Sequence, residues 1–202
     1  ASLGDYYINE AFSCSHRAHA SLSKVTGHIN SFAGFLLETE INALKKITKE
    51  IVKPVSCIIG GSKISTKIQI MENLIPKFDN MIVVGAMANN FLKYNQNNIG
   101  KSIFEENSDK IIEKIISLAK KNNCNLYFTE DVCTGKHLED TAIMKNINEI
   151  ESDDMILDIG KKTIEKIISL INSSKTILWN GPAGYFENPN FANGSYEIAK
   201  AI

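Results

Sequence analysis

In the stretch CIIGGSKISTKIQIMENL, residues 57 to 74, an apolar run ends on Gly60 and Gly61 and is followed by Lys63 and Lys67, four positions apart. Such a pattern suits an anion. Glycines let backbone approach a ligand closely, the free N–H groups at a helix start attract negative charge, and two ammonium groups at this spacing fall on one helical face. A G-x-x-x-x-G-K phosphate loop is excluded, because Gly60 and Gly61 adjoin and Lys63 nearly touches them. On these residues alone two readings stay open: a phosphate cradle, or a strand-to-helix turn with solvated lysines.

Three other stretches carry candidate chemistry. In TILWNGPAGYFE, residues 176 to 187, an apolar run meets Asn180, Gly181, Pro182 and Gly184, with Glu187 just beyond. Asn-Gly-Pro fixes a tight bend, and a carboxylate after it could accept hydrogen bonds from a ribose; the alternative is a plain loop with Phe186 tucked into the core. In SHRAHAS, residues 15 to 21, His16 and His19 lack a third, carboxylate ligand, so no metal site is predicted. Arg17 suits a phosphate or carboxylate better, since its guanidinium fork binds such anions bidentately. VVGAMANNF, residues 83 to 91, has only Gly85, so the dinucleotide fingerprint G-x-G-x-x-G is missing.

Composition narrows the partners. A formal net charge of −1 over 202 residues gives no broad cationic field, so neither nucleic acid nor an anionic membrane is favoured, and any phosphate binding must be local. Cys14, Cys57, Cys124 and Cys133 are scattered without CxxC spacing, which points to a reducing cytoplasm rather than to disulfides or zinc. No apolar run is long enough to span a bilayer, and the N-terminus has no secretion-signal pattern. The first residue is Ala and the final SYEIAKAI reads as a helix that simply stops, so the chain is expected to be a piece of something longer.

The elements that must carry these residues alternate. From residue 55, strands are predicted at VSCIIG, MIVVG, NLYF, MILDIG and TILWNG, with helices over 63–75, 88–94, 108–122, 161–172 and from about 190. In 108–122, Ile111, Ile112, Ile115, Ile116 and Ala119 recur at helical spacing with Lys and Glu opposite. Continuous apolar strands between such helices predict an α/β fold, a doubly wound parallel sheet, Rossmann-like, with ligands at the strand C-terminal ends. Upstream, YYINEAF reads as a strand, SCSHRAHASL as a polar loop, and Gly34 to Ile51 as a long helix closed by Pro54.

Taken in order, LGDYYINEAFSCSHRAHAS, IIGGSKISTKIQIMENL, VGAMANNFL, LDIG and WNGPAGYFE closely resemble phosphoglycerate kinase, along the whole chain. The resemblance implies reversible phosphoryl transfer between the acyl phosphate of 1,3-bisphosphoglycerate and ADP, giving 3-phosphoglycerate and ATP with Mg²⁺, in glycolysis. It implies residues 1–33 as the end of an N-terminal, 3-phosphoglycerate lobe, 34–54 as interdomain helix and hinge, and 55–202 as an incomplete C-terminal nucleotide lobe. His16 and Arg17 fall at the family's sugar-acid site, Arg17 on the phosphate. Lys63 would track the moving phosphoryl group and neutralise charge on its oxygens, and Lys67 would hold the nucleotide phosphates. Gly61, with Ser62, and Gly85 would admit the nucleotide against bare backbone, Ile103 and Leu157 would sandwich adenine, and Asn180, Pro182 and Glu187 would complete the pocket, Glu187 meeting ribose. A cytoplasmic monomer is expected.

Departures from the family pattern carry their own expectations. The commoner triple glycine reads Val84, Gly85, Ala86, and a small residue before Leu157 is Ile156, which tightens the nucleotide fit. DIGKK replaces the usual Gly-Pro, which leaves the start of the following helix less constrained. The family's N-terminal basic patch and its terminal Gly-Gly-Gly-Asp-Thr, whose aspartate is linked to Mg-nucleotide, have no counterpart here, so the chain is expected to cover roughly the middle half of such an enzyme and not to turn over by itself. A non-catalytic adenine-nucleotide-binding remnant is the alternative, and a nicotinamide oxidoreductase the reading from fold alone.

Overall fold

In the computed structural model, which describes residues 1–202 apart from the side chain of Ile47, the chain divides into two units, Ala1–Ile51 and Val52–Ile202. In the first unit, strand β1 (Tyr6–Asn9) pairs in parallel with β2 (Asn30–Ala33), Tyr6 opposite Asn30. Helix α1 (Phe35–Lys49) follows. Glu10 anchors its first turn, its Oε2 accepting the Leu37 N–H at 3.1 Å. The helix ends at Lys49, well short of Pro54, where Glu50 leaves helical geometry at φ −115° and ψ 39°. The proline predicted to close it is therefore not the cause. The predicted polar loop contains a 3₁₀ turn at Phe12–Cys14 and one π-helical turn at Ala20–Lys24.

The second unit holds β3 (Val55–Ile59), α2 (Ile68–Leu74), β4 (Asn80–Val83), α3 (Ala86–Tyr94), α4 (Asp109–Lys121) and β5 (Asn125–Tyr127). It continues through β6 (Asp131–Gly135), β7 (Ile143–Asn146), β8 (Met155–Ile159), α5 (Lys161–Ser173), β9 (Thr176–Asn180) and α6 (Asn193–Ala201). Its main sheet runs β5-β4-β3-β9, every pair parallel, with Ile59 opposite both Val83 and Asn180. The strand order reverses direction at β3. Ile58 and Ile82 face a cluster with Ile164, Ile167, Ile171 and Ile198 of α5 and α6. Their neighbours Cys57, Ile59, Met81 and Val83 point to the other face and are equally buried, as are Met71, Met87 and Ile112 of α2, α3 and α4. Helices thus cover both faces, as in doubly wound proteins.

Strand β8 corrects the expected topology. MILDIG forms a strand, but it joins β6 and β7 in a separate antiparallel sheet of order β7-β6-β8, with an irregularity between Cys133 and Thr134. Strict strand-helix alternation predicted parallel pairing throughout; two unforeseen strands between β5 and β8 supply antiparallel partners instead. Asp131, at the start of β6, also corrects the expectation of a loosely fixed α5. Its carboxylate accepts the N–H groups of Lys162 at 2.9 Å and Thr163 at 2.8 Å and the Thr163 hydroxyl at 2.7 Å, so the helix start is clamped from a neighbouring strand.

Candidate functional site

The C-terminal ends of β3, β4 and β9 converge at the point where the strand order reverses, the usual ligand position in open α/β sheets. The Gly60 N–H donates to Asn180 O at 2.8 Å, and the Val84 N–H to Ile59 O at 2.9 Å. A Cβ on Gly60 would stand 2.2 Å from the Pro182 carbonyl oxygen, so only glycine allows the β3 and β9 turns to approach this closely. Gly85 needs its left-handed backbone, φ +66°, to turn from β4 into α3 beside the Gly61 N–H. The turn after β9 is braced on three sides: the Trp179 Nε1–H donates to Gly181 O at 2.7 Å, the Ala183 N–H to Ser195 Oγ at 2.9 Å, and the Tyr185 N–H to Leu157 O at 2.7 Å.

These turns enclose a cavity of about 410 Å³. Of the residues predicted for the nucleotide, Gly61, Ser62 and Gly85 form its backbone side, Ile103 and Leu157 its apolar side, and Pro182 and Glu187 its β9 side. Ile156, singled out as a departure, also lines it, together with Met155 and Ala88. Phe186 is about half exposed, which removes the reading of this loop as a core plug.

The two lysines do not sit on a helix face. The residues between Gly61 and Ile68 form turns, α2 begins only at Ile68, and Lys67 is the residue preceding it. Competition for one carbonyl explains the difference. The Thr66 hydroxyl donates to Lys63 O at 2.9 Å, where a helix would place the Lys67 N–H, and that N–H turns to Ile64 O at 3.0 Å. Lys67 then extends to Asn180, its Nζ donating to Oδ1 at 2.5 Å, so the loops after β3 and β9 are tied together. Lys63 is exposed in the same loop, and neither lysine nor Asn180 lines the cavity itself. Glu105, not anticipated, reaches this loop: its Oε2 accepts the Ser65 N–H at 3.0 Å. Hydrogen bonds from Ser65 first, and the Lys63 charge last, hold its carboxyl below the usual range.

Asp158 was likewise unforeseen. It is buried at the cavity wall, where its Oδ1 accepts the Ile159 N–H and its Oδ2 the Gly194 N–H at the start of α6, both at 2.8 Å. Burial pushes its carboxyl up to about 6 against the pull of those two bonds. The signal was a single acid inside an apolar strand, LDIG. Elsewhere Glu151, Asp153 and Asp154 cluster, but Lys136 pairs with Asp153 at 2.6 Å and Lys145 with Asp154 at 2.7 Å, so protein cations already meet their charge. His16 and Arg17 lie exposed in the first unit, between its 3₁₀ and π turns.

A parallel sheet with helices on both faces and a cavity at its point of reversal defines an α/β protein of the doubly wound class. The family model described as phosphoglycerate kinase matches residues 1–202, and the chain belongs to that family. It is 45% identical over 203 residues to the phosphoglycerate kinase of Wolbachia sp. subsp. Brugia malayi and 42% identical over 205 residues to that of Francisella philomiragia, each match covering all of this chain and 51% and 52% of the relative. Among solved structures it resembles phosphoglycerate kinase from Coxiella burnetii, with a TM-score of 0.90 at 38% identity, covering 98% of this chain and 51% of that one. It also resembles the kinase from Pyrococcus horikoshii, with a TM-score of 0.84 at 25% identity. The chain spans about half the length of the curated relatives it matches.

Proposed function

We propose that this chain supplies the nucleotide-holding part of a phosphoglycerate kinase, the cytoplasmic, monomeric enzyme of glycolysis that moves a phosphoryl group between 1,3-bisphosphoglycerate and ADP. The family match along all 202 residues carries this reading, and the cavity where such sheets bind ligands supports it. In the direction of ATP formation, a β-phosphate oxygen of ADP bonds to the acyl phosphorus, the bond from that phosphorus to the carboxyl oxygen breaks, and 3-phosphoglycerate leaves as a carboxylate. Charge on the transferring group spreads over its equatorial oxygens, so positioning and cations do most of the work.

The residues fit a nucleotide diphosphate. Gly61, Ser62 and Gly85 offer bare backbone to the ligand, Ile103 and Leu157 an apolar slot for the base, and Pro182 and Glu187 a wall in which the carboxylate can accept from ribose hydroxyls. Lys67, held by Asn180, is aimed where the phosphates would emerge, and Lys63, free of such a tie among the described residues, can follow the group in transit. Arg17 and His16 are assigned to the acid, Arg17 on its phosphate. Mg²⁺ would arrive on the nucleotide phosphates and supply further charge neutralisation there; no residue of this chain is assigned as its ligand.

A chimera tests the reading. These 202 residues would replace the matching half of the Coxiella burnetii kinase, and ATP formation from 1,3-bisphosphoglycerate and ADP would be followed. Formation of ATP is expected. A chimera that melts cooperatively yet forms none overturns the assignment.

A further inference from the structure

The loop from Gly61 to Lys67 carries both lysines, and it forms turns rather than a helix, so its position depends on what it is tied to. Its first residue is held by α3, the Gly61 O accepting the Met87 N–H at 2.9 Å, and its last by Asn180. Glu105 supplies the tie between them. Its Oε2 accepts the Ser65 N–H at 3.0 Å, two residues beyond Lys63 and next to the fully buried Ile64. Glu105 is fixed in turn by Asn90 of α3, 2% exposed, whose Oδ1 accepts the Glu105 N–H at 2.7 Å and the Ser108 hydroxyl at 3.3 Å. The Asn90 Nδ2 donates to Met87 O at 3.1 Å and Ala86 O at 3.4 Å in the first turn of that helix. All four hydrogen-bonding positions of the amide are filled, which makes it a rigid support.

A carboxylate here runs against the charge of the ligand. Beside a loop that meets phosphates it repels them, and it offsets part of the Lys63 charge. What accounts for its place is the acceptor it offers to the Ser65 N–H, which pairs with no backbone carbonyl among the described residues. We infer that Glu105 is a positioning residue for the phosphate-binding loop, held by Asn90 and holding Ser65 so that the Lys63 backbone stays fixed while its ammonium group moves. The inference rests on the nucleotide reading above and adds to it the residue that sets where that lysine starts. Glu105 touches no ligand in this role and acts through Ser65. The loop it holds serves the phosphates, so its loss is felt by a diphosphate and not by a nucleoside.

Titration of the chain with ADP and with adenosine, followed by amide chemical shifts and accompanied by a thermal melt, tests this. Glu105→Ala is expected to weaken ADP about fivefold, the scale of one exposed bond to a charged group, and to leave adenosine within about twofold. Glu105→Gln keeps an acceptor without the charge and should bind ADP within about twofold of the unaltered chain. A folded Glu105→Ala variant that binds ADP as tightly as the unaltered chain, or loses adenosine in the same proportion, overturns the inference and leaves the nucleotide reading standing. So does a Glu105→Gln variant no better than the alanine one. Failure of ADP to bind the folded, unaltered chain overturns both. If the alanine variant does not fold, the Ser65 amide of the unaltered chain decides: slowed hydrogen exchange supports the tie, and exchange at the rate of a free amide overturns it.

Discussion

Lys67 spans the crevice at the sheet's point of reversal and donates through Nζ to Oδ1 of Asn180 at 2.5 Å, binding the turn after β3 to the last residue of β9. The bond holds a long, flexible ammonium in one place before any ligand arrives, which lowers the entropy lost on binding. Because the pair is exposed, it adds little to folding stability. Lys67→Ala is expected to weaken ADP binding about tenfold, the value of one lost charge-assisted bond, while the melting temperature moves by no more than about 2 °C. Calorimetry and a thermal melt on the same sample check both. Asn180→Ala, which removes the brace and leaves the charge, should weaken binding less.

Asp158 gives the protein a pH signature. Its folded carboxyl titrates at about 6 against an ordinary 3.8, so the folded state holds this proton more tightly than the unfolded state does. The group therefore favours folding most below pH 3.8. Its contribution is lost as pH rises from there through 6, by ~3 kcal/mol in all, and is flat above. Asp158→Asn has no such proton, so its stability relative to the natural chain should improve by about that amount between pH 4 and 7. Urea unfolding of both chains across this range measures it; two parallel stability curves would contradict the titration.

Gly60 sets the distance between two turns. An alanine there would press its Cβ against the Pro182 carbonyl at 2.2 Å, and that oxygen belongs to backbone braced through Trp179, Ser195 and Leu157. Gly60→Ala should destabilise the fold by about 2–4 kcal/mol and weaken ADP binding as well, because the turns must separate. Denaturant midpoints read the first effect and calorimetry the second. A variant with unchanged midpoint would show that the turns can part freely.

Asp131 clamps α5 through two backbone N–H groups and the Thr163 hydroxyl. Asp131→Ala leaves the buried Thr163 N–H and the part-buried Lys162 N–H without this acceptor, the Thr163 hydroxyl keeping Asp131 O, and is expected to destabilise the fold by about 2–3 kcal/mol. Thr163→Val should remove only part of that. Chemical denaturation checks the order of the two; an Asp131 variant within about 0.5 kcal/mol of the natural chain would mean the helix start needs no clamp.

What could be read from the sequence follows from which signals are local. Ile112, Ile115 and Ala119 announce α4 because helical periodicity repeats within a few residues, and the glycines at 60, 61, 85 and 181 mark turns for the same reason. The strands β6 and β7 escaped because DVCTG and IMKN are short and lack alternation, and β8 takes its antiparallel partner, β6, from them. The helix expected at 63–75 is present but begins only at Ile68, after a turn in which the Thr66 hydroxyl captures the carbonyl of Lys63. Gly61, Ser62, Gly85, Ile103, Leu157, Pro182 and Glu187 do meet at one cavity. Asp131, Asp158 and Glu105 went unnoticed because their importance lies in partners that only tertiary contact creates.

In the proposed function, the diphosphate of ADP docks beside Lys67 with its base in the cavity between Ile103 and Leu157. Amide chemical shifts of the isotopically labelled chain, followed while ADP is added, test it most directly. Saturable shifts are expected, confined to the turns around Gly61, Ser62 and Lys67, to Gly85, to Ile103, and to Leu157 and Gly181, with the α5 surface unmoved. Shifts that are absent, or that gather away from these turns, would contradict it.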